Sequence, residues 1–133
     1  MNSKKIYLVF FFMIIIFLFR KKTYFGVDKN IGRGIFCNNI IFPGETVEVS
    51  PTIEITSLKP ENPLINYIFT DKKYNYVGFG IASMFNHSDD PNVIWHFDKN
   101  KNIVFTATKL ILAGQQLYIS YGKKYWKYRI DKI

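Results

Sequence analysis

The sequence predicts a small, mainly β domain with little helix, preceded by an N-terminal apolar helix. From residue 23 onward, short apolar or alternating runs are separated by turn residues, as in half-buried strands. The 133 residues, 48% of them hydrophobic, suffice for one domain with its own core but not for two. We therefore expect a hydrophobic segment over residues 1–22 and a single domain over residues 23–133.

The N-terminal segment carries a membrane signal. Residues 6–19 are uninterrupted apolar residues between Lys4-Lys5 and Arg20-Lys21-Lys22. As a helix they would reach only about 21 Å, short of the roughly 30 Å hydrocarbon core of a bilayer. Three interpretations stay open: a membrane anchor with snorkelling basic residues, a secretory signal without the usual cleavage site, or an extension with no part in the fold. We favour an anchor, and the basic flanks on both sides leave its orientation undecided.

The body of the chain predicts short strands joined by turns. We expect strands at 35–37, 46–49, 52–56 and 117–120, a hairpin of 93–97 with 103–111 around the turn 98–102, helical turns or a strand at 64–69, and a polar loop at 71–76. In the last strand, alternation places Leu117, Ile119 and Tyr121 on the core face. A buried tyrosine normally needs a partner for its hydroxyl.

Formal charge and cysteine content exclude several classes of function. The net charge is +8, but 10 of the 18 basic residues lie in the first 22 or the last 11 residues of the chain. Between residues 23 and 122, 8 basic against 9 acidic side chains leave −1, so we expect no direct nucleic-acid binding. One cysteine, Cys37, excludes an internal disulfide, and one Cys with two His is too few for a structural zinc site. We expect no metal.

Two stretches stand out as candidate sites. Gly32-Arg33-Gly34 would let backbone groups face a ligand without Cβ interference, although a lone Gly-x-Gly is more often a plain turn. Residues 85–92 place a dense set of polar groups directly after an apolar run. From composition alone a tight turn is favoured over a binding site, although turns do not usually need Phe85-Asn86-His87 directly after a run of small and apolar residues.

Taken together, three motifs resemble the SET domain of protein-lysine methyltransferases, closest to the small stand-alone viral and bacterial type. They are Gly32-Arg33-Gly34-Ile35-Phe36, then Phe85-Asn86-His87-Ser88 with Pro91-Asn92, then residues 113–117 through Tyr121-Gly122. The resemblance covers about residues 26–126. It implies a β-clip fold in which the Asn86-His87 segment passes beside the closing strand in a C-terminal pseudoknot.

The resemblance also implies a cofactor, S-adenosylmethionine, and a protein substrate with an accessible lysine. By position, the backbone of residues 32–34 would hold the methionine part of the cofactor. Asn86 and His87 would bind its adenine and carboxylate region, and Trp126 would pack on the adenine. The cofactor and the lysine enter such domains from opposite faces.

Tyr121 would be the catalytic residue, and Trp95 with Tyr121 would line the lysine channel. Methyl transfer is an in-line displacement, so alignment in a dry channel is the main contribution that the protein can make. Tyr121 is not assigned as a general base, because a tyrosine with an ordinary pKa near 10 is protonated at neutral pH. Trp95 is larger than the tyrosine found in many relatives and is predicted to limit the number of methyl groups added.

Two departures from the family pattern keep alternatives open. Gln115-Gln116 replaces the usual acidic pair, and no Cys-rich tail follows, so residues 125–128 would have to close the site. A membrane-anchored β-clip binding module that has lost catalysis is a second hypothesis, which draws on the apolar N-terminal segment, on Gln115-Gln116 and on Trp95. A serine or zinc hydrolase using His87, Ser88 and Asp89 is a third, but no Gly-x-Ser-x-Gly elbow is present. We expect an intracellular location and a possible homodimer.

Overall fold

The structure, a computed structural model, describes residues 2–130, so residues 131–133 of the predicted domain lie outside the described part. Its helices are α1 (Ser3–Leu18) and α2 (Lys123–Ile130), and two 3₁₀ turns lie at Pro63–Tyr67 and Ala82–Met84. The strands are β1 (Thr23–Asp28), β2 (Gly32–Cys37), β3 (Thr46–Ser50), β4 (Thr52–Ile55), β5 (Ile68–Asp71), β6 (Tyr74–Gly78), β7 (Asn86–His87), β8 (Val93–Phe97), β9 (Ile103–Ala107) and β10 (Gln116–Ile119).

The strands form three small sheets, in the orders β1-β2-β10-β7, β3-β9-β8 and β4-β6-β5. Among the described strands the pairings are antiparallel except one. That exception is β7 with β10, where Tyr118 lies opposite Asn86 and Ile119 opposite His87. The mainly β fold with little helix is confirmed, and the Asn86-His87 segment passes beside the closing strand as predicted.

The core lies between the sheets and is supplied mainly by β2, β8, β9 and β10. Phe85, directly before β7, stacks on Phe105 of β9 with ring centroids 4.4 Å apart. Both rings are almost fully buried. Leu117 and Ile119 of β10 are also buried, and Tyr121 packs against this core, so the predicted core face of the last strand is confirmed. The strands that carry the polar motifs are therefore fixed by apolar packing.

Most of the predicted strands are present, with two differences. The predicted 93–97/103–111 hairpin is formed by β8 and β9, although β9 already ends at Ala107. The predicted polar loop at 71–76 is wrong, because β5 and β6 pair there as a hairpin with Lys72 in its turn at a φ of 54°. Tyr76 is buried against Phe97, with ring centroids 5.0 Å apart, and this packing outweighs the polar composition. For residues 64–69 both alternatives occur, a 3₁₀ turn and then a strand.

The predicted N-terminal apolar helix is present as α1. Its first turn is capped by the Asn2 side chain, and it ends where the Phe19 N–H donates to the Ile15 carbonyl. None of its residues is buried. Among the described helices, none combines the length and apolar character that crossing a bilayer requires. Strand β1 begins directly after the basic residues that follow α1.

Candidate active site

The site is built where β7 lies parallel to β10, and side chains hold the two strands together. The Ser88 N–H donates to the Ile119 carbonyl at 3.0 Å. The Asn92 amide donates to the Gln116 carbonyl at 2.9 Å and accepts from the Tyr118 N–H at 2.8 Å. The polar residues after the apolar run therefore do more than turn their own backbone, because they bind a strand that lies more than 20 residues further along the chain.

Asn86 joins the first motif to the second. Its side-chain N–H groups donate to the Arg33 carbonyl at 2.8 Å and to the Gln116 side-chain oxygen at 2.6 Å. Gln116 is itself buried, at 8% exposure. The amide of Asn86 thus has a fixed orientation, set by one backbone and one side-chain acceptor.

The two glycines of the first motif have different roles. A Cβ on Gly34 would lie 2.5 Å from the Gln116 side-chain oxygen and 2.8 Å from the Asn86 amide nitrogen. Such distances are too short for non-bonded atoms, so Gly34 is needed for the approach of these two side chains. At Gly32 the backbone has a φ of 89° and nothing lies within 4 Å of a Cβ position. The sequence predicted an open backbone face at both glycines. Of the two, only Gly32 presents one.

His87 is held in one tautomer by its neighbours. Its Nδ1 accepts a hydrogen bond from the Tyr121 backbone N–H at 3.1 Å, so the proton of the neutral ring is on Nε2. Nε2 lies 3.0 Å from the Asp89 carboxylate, which can accept that proton's hydrogen bond. The ring also lies edge-on to Trp126, with centroids 4.9 Å apart. One imidazole thereby joins the second motif to the third motif and to α2.

Tyr121 lies at the centre of the cluster. Its hydroxyl donates to the Phe85 carbonyl at 2.7 Å, which is the partner that a partly buried tyrosine requires. Its ring lies 5.3 Å from the His87 ring and 4.5 Å from the Tyr125 ring, centroid to centroid. The Trp126 ring is nearly parallel to it at 6.3 Å. Tyr121 is thus fixed at both its ring and its hydroxyl.

A narrow cavity of about 40 Å³ opens beside Tyr121. Since about 10–15 Å³ holds one water, the cavity has room for about three waters in total, and a space of that size suits a slender side chain. Aromatic rings form much of its wall, namely Tyr67, Phe69, Trp95, Tyr121 and Tyr125. Trp95 is edge-on to Phe69 at 5.0 Å, and its indole N–H lies 3.4 Å from the Ser120 carbonyl.

The cavity contains only part of the predicted site. Trp95 and Tyr121 line it, whereas Gly32, Gly34, Asn86 and His87 do not. Asn86 and His87 directly follow Phe85, whose carbonyl accepts the hydrogen bond of the Tyr121 hydroxyl, and the Asn86 side chain in turn donates to the Arg33 carbonyl between the two glycines. The structure thus brings all three motifs together, with two groups of residues that meet at Tyr121.

Sequence reasoning missed two supporting residues and one helix. Gln116 was noted only as a departure from the family's acidic pair, and its structural role is to hold the Asn86 amide. Asn92 was noted only as part of a motif, yet its side-chain amide both donates to and accepts from the backbone of β10. Helix α2 was not predicted, and it carries Tyr125 and Trp126 onto the Tyr121 ring. The side chains of residues 128–130 lie outside the described part.

The hydrolase hypothesis has no support in this geometry. The Ser88 hydroxyl accepts a hydrogen bond from the Asp90 N–H at 3.1 Å, as in an ordinary turn. The two ring nitrogens of His87 are directed to the Tyr121 N–H and to Asp89, not to Ser88. Ser88 and His87 therefore do not form the hydrogen-bonded pair of nucleophile and base that a serine hydrolase needs.

Comparison with known proteins identifies the class to which this fold and site belong. The family model of the SET domain matches residues 32–122, which is more than half of the chain and includes all three motifs. The chain belongs to the SET domain family, and it is an S-adenosylmethionine-dependent protein-lysine methyltransferase. The SET resemblance of the three motifs is thereby confirmed.

Three similar proteins come from eukaryotes. A histone-lysine N-methyltransferase of Schizosaccharomyces pombe, specific for H3 lysine-37, is 30% identical over 103 residues, which cover 71% of this chain and 69% of that protein. The SET domain-containing protein SmydA-8, isoform B, of Drosophila melanogaster is 38% identical over 55 residues, or 41% of this chain and 12% of that protein.

The third is a crystal structure of a Plasmodium falciparum protein described as a candidate histone methyltransferase. It superposes with a TM-score of 0.70 at 29% identity, over 80% of this chain and 98% of that one. The SET fold is therefore shown. The viral or bacterial type stays a prediction.

Proposed function

We propose that Tyr121 is the catalytic residue of the methyl transfer and that Trp95 and Tyr121 line the channel for the target lysine. The observation that carries the proposal is the hydrogen bond from the Tyr121 hydroxyl to the Phe85 carbonyl. It lies where the narrow aromatic cavity meets the Asn86-His87 segment. A lysine side chain that entered the cavity would bring its terminal amine to the Tyr121 hydroxyl.

Residues outside the cavity fit the methyl donor. Gly32 has an open backbone face, so a polar ligand can approach without meeting a Cβ. The Trp126 ring is 39% exposed and contacts His87, which offers an aromatic surface for an adenine. We assign cofactor binding to residues 32–34, Asn86, His87 and Trp126. S-adenosylmethionine supplies an electrophilic methyl group on a positively charged sulfur.

The cavity wall prepares the lysine for reaction. An ammonium has no lone pair and must lose a proton, and removal from water into an apolar cavity lowers its pKa. The aromatic faces attract the amine's positive charge while it is still protonated. The Tyr121 hydroxyl donates a hydrogen bond to the Phe85 carbonyl, and a hydroxyl oxygen that donates can also accept, here from the lysine N–H. Alignment and a dry wall are the main contributions of these residues.

The substrate is a lysine on a protein. The S. pombe relative acts on histone H3 by name, which makes a histone tail the first substrate to try. The region between residues 23 and 122 carries a formal charge of −1, so it does not repel a basic tail as the two ends of the chain would.

Tyr121→Phe tests the catalytic assignment. We expect methyl transfer to a histone H3 peptide to fall about a hundredfold, a typical loss when one aimed hydrogen-bonding group is removed. Affinity for S-adenosylmethionine, measured by titration calorimetry, should stay near that of the wild type. Tyr74→Phe, at the exposed first residue of strand β6, is the matched control. Transfer at the wild-type rate by Tyr121→Phe would refute the assignment.

Trp95 is proposed to limit the number of methyl groups added. Its indole lines the cavity and is edge-on to both Phe69, at 5.0 Å, and Phe97, at 5.8 Å. Trp95→Phe removes ring volume, so mass spectrometry of the peptide product should show a shift from lower to higher methylation states. If the wild-type enzyme already forms mainly trimethyllysine, Trp95 does not have this role.

Several expectations remain predictions. Catalysis without a metal, the absence of direct nucleic-acid binding, a homodimer and an intracellular location are proposed on sequence grounds. The binding-module alternative drew on the Gln115-Gln116 pair. Gln116 now has a positioning role, because its side-chain oxygen holds Asn86. A calorimetric titration that gave no heat with S-adenosylmethionine would restore that alternative.

A further inference from the structure

Helix α1 exposes apolar side chains on every side. From Ile6 onward the helix is entirely apolar, yet none of its residues is buried. Phe10 is 59% exposed and Ile16 68%. A helix that is apolar all round normally lies inside a large core or in a membrane. Something outside the described chain must therefore cover α1.

The domain carries a second apolar surface at the C-terminal end of α1. Ile41 and Ile111 pair through two backbone hydrogen bonds of 2.9 Å and are fully buried. Alternation directs their chain neighbours outward, and each of these is 37–49% exposed. We call these four side chains the docking patch: Ile40, Phe42, Leu110 and Leu112.

The docking patch is continuous with the helix. The Phe42 ring lies 6.4 Å from the Phe17 ring of α1, centroid to centroid. The four patch residues and the last turns of α1 thus form one apolar surface. Such a surface is larger than the single apolar side chains that a soluble protein normally exposes.

Arg20 fixes the helix to the domain. Its guanidinium donates to the Phe17 carbonyl at 2.8 Å and to the Ile40 carbonyl at 2.7 Å, and it pairs with Glu45 at 3.1 Å. The Asn38 and Asn39 side chains both donate to the Lys21 carbonyl, at 3.0 and 2.9 Å. We call these contacts the clamp. Because of the clamp, α1 has a set orientation to the domain and is not a loose tail.

Basic residues border the apolar surface. They are Lys4 and Lys5 at one end of α1 and Lys21 and Lys22 at the other. Glu45 lies 3.6 Å from Lys22 and is shared with Arg20, and Lys109 beside the patch is paired with Asp90, so Lys4, Lys5 and Lys21 are the main charges offered to a partner. A second copy would bring the same positive charges together, which is unfavourable, whereas anionic lipid headgroups supply the opposite charge. The 16 residues of α1 reach about 24 Å. This charge pattern favours a lipid surface as the partner.

We propose that α1 and the docking patch form one membrane-docking surface for an anionic lipid leaflet. The apolar helix enters the acyl region, and the patch rests at the boundary between headgroups and acyl chains. The clamp then gives the domain a fixed orientation on the membrane. This proposal does not depend on the residue roles assigned to the methyl transfer.

The test is flotation of the full chain with lipid vesicles. Vesicles of phosphatidylcholine with phosphatidylserine are compared with vesicles of phosphatidylcholine alone. The chain should float with the anionic vesicles and at least about tenfold less with the neutral ones, since several basic residues near an anionic surface strengthen binding together.

Two variants test the two halves of the surface. Phe42→Ser with Leu110→Ser should lower the bound fraction on anionic vesicles about tenfold, because two half-exposed apolar side chains no longer enter lipid. The matched control is Val27→Ser with Ile53→Ser, which removes similarly exposed apolar side chains from β1 and β4. Lys4→Gln with Lys5→Gln should weaken binding to anionic vesicles. The weak binding to neutral vesicles should stay unchanged, because no apolar side chain is removed.

The proposal is overturned if the patch variant floats as well as its control. It is also overturned if neutral vesicles bind the chain as well as anionic ones. A stable lipid-free oligomer that no vesicle recruits would identify a second copy as the partner instead. Thermal unfolding of each variant verifies that a loss of flotation is not a loss of fold.

Discussion

The β7–β10 junction and the clamp use the same kind of bond for different purposes. At the junction, Asn86 and Asn92 bind backbone groups of distant strands, and the fully buried Leu117 lies beneath them. At the clamp, Arg20 binds the Phe17 and Ile40 carbonyls, but the helix that it holds buries nothing. At the junction, hydrogen bonds next to a buried core hold the side chains of the candidate site in place. At the clamp, hydrogen bonds set how the exposed helix α1 is oriented to the domain. The junction should therefore be much less tolerant of change than the clamp.

The largest effect is expected for Gly34→Ala at the junction. The new methyl group would lie within 2.8 Å of the Asn86 amide nitrogen and must displace it. We expect the free energy of unfolding to fall by about 1–3 kcal/mol, as for other overpacked sites, and affinity for S-adenosylmethionine to fall at least about tenfold. Denaturant unfolding and calorimetry measure the two effects.

Gly114→Ala is the matched control for that change. Its φ is 84°, with nothing within 4 Å of a Cβ, so it adds backbone strain of about 1–2 kcal/mol without crowding. Cofactor affinity should stay unchanged. If Gly34→Ala bound the cofactor normally, the junction would be more plastic than its packing indicates.

Gln116→Leu should have the next largest effect on the candidate site. The Asn86 amide would keep the Arg33 carbonyl but lose its second acceptor at a half-buried position. Because water can partly replace that acceptor, we expect a cost of about 1 kcal/mol, at the low end of the range for buried donors. Gln116→Glu keeps an acceptor for the amide, and we expect it to retain the cofactor affinity that Gln116→Leu loses. Equal affinities of the two variants would remove Gln116 from the positioning role.

Arg20→Gln probes the clamp and should have a smaller effect. It removes the ion pair with Glu45 and shortens the reach to the Ile40 carbonyl. We expect a loss of about 1–2 kcal/mol in unfolding free energy, typical of a charged hydrogen bond. Trypsin should cut after Lys21 and Lys22 about tenfold faster, because α1 is no longer held. Lys29→Gln, on the exposed β1–β2 turn, is the control, and an unchanged cleavage rate in Arg20→Gln would contradict the clamp.

Glu45→Gln should have the smallest effect, and that effect should depend on pH. Burial alone would raise the pKa of Glu45, but the Phe42 N–H and the charges of Arg20 and Lys22 outweigh it and hold the pKa below its ordinary 4.5. The charged form therefore stabilises the fold above that pH, and the contribution disappears as the pH falls below it. The variant should be about 1 kcal/mol less stable at neutral pH and equal to the wild type in strong acid. A difference that persisted in acid would show that charge is not the cause.

Part of the site could be predicted from single residues. The partner for the Tyr121 hydroxyl was expected from burial, and the alternation of residues 117–121 placed that side chain correctly. The open face at Gly32 was also expected, because glycine tolerates a positive φ. The reason for Gly34 could not be seen, since it depends on two side chains that approach from strands distant in sequence. The hairpin at 71–76 was missed for a similar reason, because its polar composition hides the contact of Tyr76 with Phe97.

The sequence by itself determined the fold family, the three motifs, the apolar helix and the core-facing residues. These depend on local patterns: alternation, turn residues, uninterrupted apolar runs and the spacing of short motifs. Only the tertiary structure decided that Gln116 orients Asn86, that α2 carries aromatic rings onto Tyr121, and that Arg20 fixes α1 beside the docking patch. Each of those contacts joins atoms that are far apart along the chain, and packing, not local preference, selects them.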